Sequence, residues 1–416
     1  MLTWIEIAFR NLRKNRRRSF FTILAVALGF AAVNVFGGFS SYVFTTIKDG
    51  EIYALGNGHL TIFKKGFLTR GKLDPLSYLL SEAETQTIQE VLRGFSEVAV
   101  VTRQLHISGL LSNGKVSTIF IAAGCVPSDM QTIRNYTSGL TRRLRPFVGK
   151  ELEDDTSYGV GLSSGLAEQL ELGMNSTAIA MAPTVDGQIN ALDVQVFQLF
   201  ETALDVLNDK LMRVPLKFAQ TLYDTTSVDR ITVLLKDTEQ VEPARAALQE
   251  ALAQRGLDVE IKTWRELSVL YNKVRKMFDI IFLFLFIVVL IIAVMSVINT
   301  ISMTVVERTR EIGTLRALGV KRRGIIKLFA LESAMLGTLG ALAGMGLTWM
   351  SWLVVKILEP QWVPPLVSQR LPLTIDLVPE YMVWSAFFLV VLSVGAASFP
   401  ARQAAHQDIV EALGHV

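Results

Sequence analysis

The chain has 416 residues, half of them hydrophobic, and a mean hydropathy of +0.39. That balance excludes an ordinary soluble protein of this length. A formal net charge of +3 gives no case for nucleic acid as a partner, and the single cysteine, Cys125, excludes an internal disulfide and a cysteine-rich metal cluster.

The first predicted element, residues 1–18, is a cytoplasmic interfacial helix with Leu2, Ile5, Phe9 and Leu12 near one side and Trp4 at headgroup level. A first membrane span follows over 19–47, its apolar run reaching from Phe20 to Phe44. The basic RKNRRRS before it would suit a signal peptide, yet the apolar run is longer than a signal core and no A-x-A site follows. It reads as an uncleaved signal anchor.

Residues 48–276 suffice for an outer domain of α+β type. HLTIFK, from His59, alternates like a half-buried strand. SEAETQTIQEVLRGF is a helix capped by Ser81. Two strands meet at Asn113-Gly114, a strong hairpin signal. GLAEQLEL is helix-like, STAIAMA and LDVQVFQLF are strand-like, and RITVLLKD, VEPARAALQEALAQRG and LDVEIKTW follow as strand, helix, strand. Two subdomains are expected, one from 55–135 with 225–265 and a strand-rich insertion at 140–220. No catalytic constellation emerges: His59 and His106 stand isolated, and the acidic triplet Glu153–Asp155 reads as solvated. No metal site is expected. The phosphate-cradling pattern G-x-x-x-x-G-K-[ST] does not occur in the sequence.

Three further spans are predicted at 277–305, 325–356 and 380–400. Between the second and third lies a charged helix, 306–324, on which Val305, Ile312, Leu315 and Leu318 share a broad apolar side while Arg308, Glu311 and Arg316 lie elsewhere. Gly319 supplies its stop. Physical pattern alone leaves two readings open for it: a topogenic basic loop with an interfacial helix, or a docking surface. In the third span Gly337, Gly340, Gly344 and Gly346 cluster, and Gly340 with Gly344 forms a small-x-x-x-small pair for close helix packing. Glu332 sits near the edge of that span, within reach of headgroups or a basic neighbour. Asn34 and Asn299 offer hydrogen bonds between helices. The loop 357–379, with Pro360, Pro364, Pro365, Pro372 and Pro379, reads as extended. Lys and Arg crowd 10–18 and 308–327, which puts residues 1–18, 306–324 and the tail 401–416 in the cytoplasm and the outer domain and proline loop outside. The expected fold is membrane α-helical, with four transmembrane helices and a large α+β extracytoplasmic domain between spans 1 and 2.

The stretch VERTREIGTLRALGVKRRGIIKLFALESAMLGTLGALAG, from Val306, resembles the second-to-third-span region of the MacB/FtsX-like permeases, membrane subunits of type VII ABC transporters. The run E-R-x-R-E-I-G-x-L-R-A-L-G falls on Glu307, Arg308, Arg310, Glu311, Ile312, Gly313, Leu315, Arg316, Ala317, Leu318 and Gly319. The end PARQAAHQDIVEALG is similar to the family's P-A-x-x-A-A ending, without the proline usual near Ile409, and AFRNLRKNRRRS is similar to its N-terminal helix. GNGHLTIFKKGF, from Gly56, looks nearest the LolC/LolE lipoprotein-release branch.

The resemblance implies a permease that is not itself an enzyme and binds no cofactor, with ATP and Mg held by a separate cytoplasmic ABC ATPase. Glu307–Gly319 would be the coupling helix, with a stalk at roughly Leu267–Phe278 carrying its motion outward. Two permease chains would pair, as homo- or heterodimer, in the bacterial inner membrane with both termini cytoplasmic. A periplasmic carrier or adaptor would receive the substrate. The implied function is extraction of a lipoprotein or other amphiphile from the outer leaflet, by mechanotransmission. Tripartite efflux of MacB type and non-transporting control of a cell-wall hydrolase are the alternatives. A groove facing membrane lipid between paired chains is expected near Phe36, Phe39, Phe44 and Met277.

Overall fold

A computed structural model describes residues 2–71, 73–136, 147–202, 207–362 and 371–407. The expectations for Pro364, Pro365, the tail around Ile409 and the side chains of Leu2, Trp4 and Ile5 lie outside the described residues. The helices that matter to the site and the core are α1 (Leu2–Lys14), α2 (Arg16–Asp49), α3 (Glu82–Arg93), α4 (Leu216–Tyr223), α5 (Val241–Gln254), α6 (Val269–Glu307), α7 (Thr309–Ala317), α8 (Arg322–Leu358) and α9 (Pro379–His406). The strands are β1 (Leu60–Lys64), β2 (Val98–Ser112), β3 (Ser117–Cys125), β4 (Val148–Gly149), β5 (Gly159–Ser163), β6 (Thr177–Pro183), β7 (Ile189–Phe200), β8 (Leu211–Pro215), β9 (Arg230–Leu235) and β10 (Val259–Thr263). The chain divides into a helical unit (Met1–Phe44, Val274–Pro360, Pro372–Val416) and a sheet unit (Thr45–Lys273, Gln361–Leu371).

In the sheet unit the strand order is β10-β1-β9-β2-β3-β8-β5-β7-β4, with β6 paired to β2 and β7. The strands of 55–135 and 225–265 therefore share one sheet with those of 148–215, joined where β3 runs parallel to β8, Ile121 opposite Leu211. Strand β1 is not half-buried as its alternation suggested. It lies between β10 and β9, and Leu60, Thr61, Ile62 and Phe63 are all buried. At the β2–β3 connection Asn113 Oδ1 accepts from the amides of Lys115 at 2.8 Å and Val116 at 2.7 Å, and Gly114 takes the left-handed φ of +88° that glycine allows.

Helix α3 starts on a complete capping box: Ser81 Oγ accepts from the Glu84 amide, and Glu84 Oε2 accepts from the Ser81 amide. Helix α5 buries Val241, Ala244, Leu248 and Leu252, a stripe one helical face wide. Sequence patterning missed α4, whose Leu216, Phe218, Ala219 and Leu222 join Phe120, Ile231 and Leu248 in the core.

His59 is not isolated. It is buried, its Nδ1 accepts from the Leu235 amide at 3.0 Å, and its Nε2 lies 3.1 Å from Thr238 Oγ1. Burial pushes the imidazole down from 6.5 to about 4. Unfolded His59 takes up a proton as pH falls past 6.5 and folded His59 does so only near 4, so stability is lost across that window as pH drops. Acidifying from pH 7 to 4.5 is expected to lower the protection factor of the Leu235 amide, its exchange rate taken relative to the intrinsic rate at each pH, and a His59→Gln variant to flatten that dependence. An unchanged pH profile in the variant would contradict this assignment.

The helical unit holds the four apolar helices long enough to span a membrane, α2, α6, α8 and α9. Half of the most apolar window of α8 is buried against only 17% for α6, so α8 is the centre of the bundle and α6 its most exposed member. Hydrogen bonds bind α2 to its neighbours: Thr22 to Thr300, and Asn34 Nδ2 to Ser385 Oγ at 3.0 Å. The glycines of α8 make room for these helices. A Cβ on Gly340 would come within 2.5 Å of Val26 Cγ1, one on Gly344 within 2.8 Å of the Ala27 carbonyl oxygen, and one on Gly337 within 2.8 Å of Ser393 Oγ. Gly346 meets nothing within 4 Å. Gly344→Ala is expected to cost about 1–3 kcal/mol through overpacking. Gly346→Ala should be neutral or slightly stabilising, since alanine favours the helix. Thermal unfolding of the two variants side by side checks this.

Candidate coupling site

Helix α6 ends at Glu307, though neither proline nor glycine stands between Val305 and Arg310. The break falls on Arg308, with φ −113° and ψ 16°. Its amide is shared between the carbonyls of Thr304 and Val305, at 3.1 and 3.2 Å. Thr309 Oγ1 donates to the Val305 and Val306 carbonyls, both at 3.0 Å, satisfying acceptors at the fractured end. The helix expected to run through Arg308 to a stop at Gly319 thus begins only at Thr309. A short α7 is set off from α6 by the break and from α8 by a turn through Gly319, whose φ of +94° makes the stop.

Most charges of the motif are spent inside the helical unit. Arg18 grips Glu307 with both Nη atoms, at 2.9 and 3.2 Å, and Asn15 adds a bond at 3.3 Å. Arg308 donates from Nε to Glu311 at 2.7 Å and from Nη1 to Glu332 Oε1 at 3.0 Å, and Asn11 of α1 donates to the same oxygen. The bond from Arg308 holds the Glu311 carboxyl below its ordinary range. Arg316 Nη1 donates to the carbonyls of Ala405 and Gln407, at 2.9 and 3.1 Å, neutralising the C-terminal end of α9.

Apolar residues behave similarly. Ile312 is buried and Leu315 half-buried, in a cluster with Val305, Ile325, Phe329 and Ala401. Leu318 does not share their side: it is 78% exposed. Six residues beyond Ile312 it lies about 120° round the helix, and the break at Arg308 removes any shared face with Val305. What α7 shows to solvent is Arg310, Thr314, Ala317 and Leu318, continued by Lys321, Arg322 and Arg323. Glu332, expected near the span edge within reach of headgroups or a basic neighbour, finds that neighbour in Arg308. The signal was available, because a carboxylate inside a span is almost always paired.

Phe36, Phe39 and Phe44 gather on one ring of α6, with centroids 5.8, 6.1 and 5.5 Å from Phe278. Phe278 was not among the predicted groove residues. Met277 is half exposed beside it. Among the described residues no group of His, Cys, Asp or Glu is placed to hold a metal ion.

Residues 19–251 match the family model of the MacB-like periplasmic core domain, and residues 283–409 match that of the FtsX-like permease C-terminal region. An uncharacterized ABC transporter permease of Methanocaldococcus jannaschii is 22% identical, over 98% of this chain and 97% of that protein. The macrolide export ATP-binding/permease protein MacB of Azoarcus sp. is 23% identical over 98% of this chain, which spans only 58% of that longer relative. Among solved structures, the periplasmic region of MacB from Actinobacillus actinomycetemcomitans aligns with 52% of this chain and 93% of its own, at 18% identity and a TM-score of 0.38.

Proposed function

The chain belongs to the MacB/FtsX-like ABC transporter permeases, and from that premise we propose that it turns ATP hydrolysis by a separate cytoplasmic subunit into motion of its outer domain. The observation that carries this is the division of labour on α7. Glu307, Arg308, Glu311 and Arg316 are bonded inward, while Arg310 and Leu318 face solvent without a role in the fold. An exposed leucine flanked by arginine is suited to a groove on a partner. In this reading an ABC ATPase is that partner, and it supplies ATP and Mg.

Helix α6 has 39 residues, about 58 Å of continuous rod where the hydrocarbon core needs about 30 Å. That length supports a role as the stalk. Its exposed apolar side, with Leu283, Phe284, Ile287, Ile291 and Met295, suits a second permease chain. Orientation follows the basic edges, with α1, α7 and the tail in the cytoplasm and residues 45–273 outside.

The cargo in this reading is a lipoprotein or similar amphiphile, lifted from the outer leaflet beside Phe36, Phe39, Phe44 and Met277 and passed to an extracytoplasmic carrier or adaptor. A second reading, export of a macrolide-like amphiphile, is favoured by relatives named as macrolide export proteins. A photocrosslinking residue in place of Met277 separates the two. An acylated polypeptide in the adduct supports the first and a small amphiphile supports the second. Adducts with neither would remove the groove.

A further inference from the structure

We infer that Glu332 is a positioning residue for coupling: its carboxylate captures Arg308 and thereby imposes the break that turns α7 away from the axis of α6. The local sequence holds no proline or glycine to stop α6 there, and the back-bonding Thr309 is the one local feature at the break. Val305-Val306-Glu307-Arg308-Thr309-Arg310 contains no helix breaker, and such a run ordinarily continues an α-helix. Sharp breaks in helices otherwise come from proline, paired small residues or an inserted group. Here Thr309 Oγ1 occupies the Val305 and Val306 carbonyls, and the group drawn away from the helix at the break is the Arg308 side chain. It is only 12% exposed and turns inward to Glu332, whose side chain is 3% exposed.

The network around that carboxylate joins four elements at one point. Asn11 brings α1, Arg308 brings the α6–α7 break, Glu311 on α7 takes the second face of the guanidinium, and Glu332 itself stands on α8. Lys14 of α1 lies 3.6 Å from Glu311 and closes the circuit at the surface. Bonds between the two charged partners are directional, so the direction of α7 is fixed by where Glu332 stands on the central helix. A buried ion pair of this kind adds little net stability over an apolar pair of similar volume, while it can select one arrangement among several. That is the property a coupling element needs. A push on α7 is passed to α8 and α1 through this shared network, rather than dissipated by a straightening helix.

The inference rests on the reading of α7 as the ATPase-facing helix only for the word coupling; the geometry is testable on the permease alone. Spin labels at Ala317→Cys and Leu342→Cys, both exposed positions, are placed in full-length chain with Cys125→Ser, in lipid nanodiscs. The unaltered network should give one narrow distance distribution. The double variant Arg308→Met/Glu332→Met removes both charges together, so neither is left buried and unpaired, and the protein should stay folded by its melting transition. Its α7 is then free to continue α6, which moves Ala317, and the distribution should shift or broaden accordingly. Glu332→Met alone should disturb the distribution as well, with a lowered melting transition. If the double variant keeps the narrow distribution of the unaltered chain, the break is intrinsic to the backbone and Glu332 does not position it. Co-purification of the ATPase with the same variants is scored separately. Normal geometry overturns the latch whatever the binding; altered geometry with lost binding supports the latch and its link to coupling, while altered geometry with unchanged binding supports the latch and removes that link.

Discussion

Replacing Arg310 and Leu318 together by glutamate should abolish co-purification of the ATPase subunit while leaving the permease folded. Both side chains are exposed on α7 and make no contribution to the helical unit's core. Two central contact residues are each worth about 2 kcal/mol or more at an interface, and together they amount to a weakening on the order of a thousandfold. The comparison that gives the experiment its meaning is Leu315→Glu. Leu315 packs on the cluster of Ile312, Ile325 and Phe329, so a charge there damages the fold and loses the ATPase for a structural reason. Arg310→Glu/Leu318→Glu with an unchanged melting transition and no bound ATPase supports the docking face. Undiminished recovery would remove it.

A comparably large effect is expected in the sheet unit at Asp229. Its side chain is 3% exposed and accepts from Arg230 through Oδ2, at 2.9 Å from Nη2 and 3.1 Å from Nε, with His106 Nδ1 also at 3.1 Å. Burial alone would raise the carboxyl, but Arg230 and then His106 more than reverse this, and it titrates at about 2. The stabilisation is present above the ordinary carboxylate range near 3.8 and is lost as pH falls through about 2. Asp229→Ala leaves the guanidinium of Arg230, which also stacks on Phe63 with 5.0 Å to the ring centroid, without its carboxylate. A broken pair of this burial costs about 3–5 kcal/mol. Asp229→Leu/Arg230→Leu should cost much less, because no charge remains buried. Hydrogen exchange along β9 reads both, and a cost below about 1 kcal/mol for Asp229→Ala would show that solvent already screens the pair.

Much of this architecture is legible in the sequence, because membrane spans, caps and turns are local. The four apolar runs, the Ser81–Glu84 box, the Asn113-Gly114 turn and the stop at Gly319 each depend on neighbours within a few residues. What stayed hidden depends on distant partners. Strand β1 carries an alternating pattern yet is covered on both faces, since its neighbours β9 and β10 come from about 170–200 residues later. The parallel pairing of β3 with β8 has no local signature at all. In the coupling motif the apolar wheel assigned Ile312 and Leu315 to the inside and misplaced Leu318, because it assumed an unbroken helix through Arg308. In sequence the motif's charges leave two readings open, a topogenic basic loop or a docking surface. In the fold Glu307, Arg308, Glu311 and Arg316 are bonded within the helical unit, and Arg310 and Leu318 are among the residues left facing outward.

The account's central claim is sidedness: α7 meets a cytoplasmic motor and residues 45–273 work on the opposite side. The most direct measurement is labelling of single cysteines in intact cells with a membrane-impermeant maleimide, in a Cys125→Ser background. Lys115→Cys, at the exposed β2–β3 turn, should react in intact cells, and Ala317→Cys, on the exposed face of α7, only after permeabilisation. Labelling of Ala317→Cys in intact cells with Lys115→Cys protected would contradict the account.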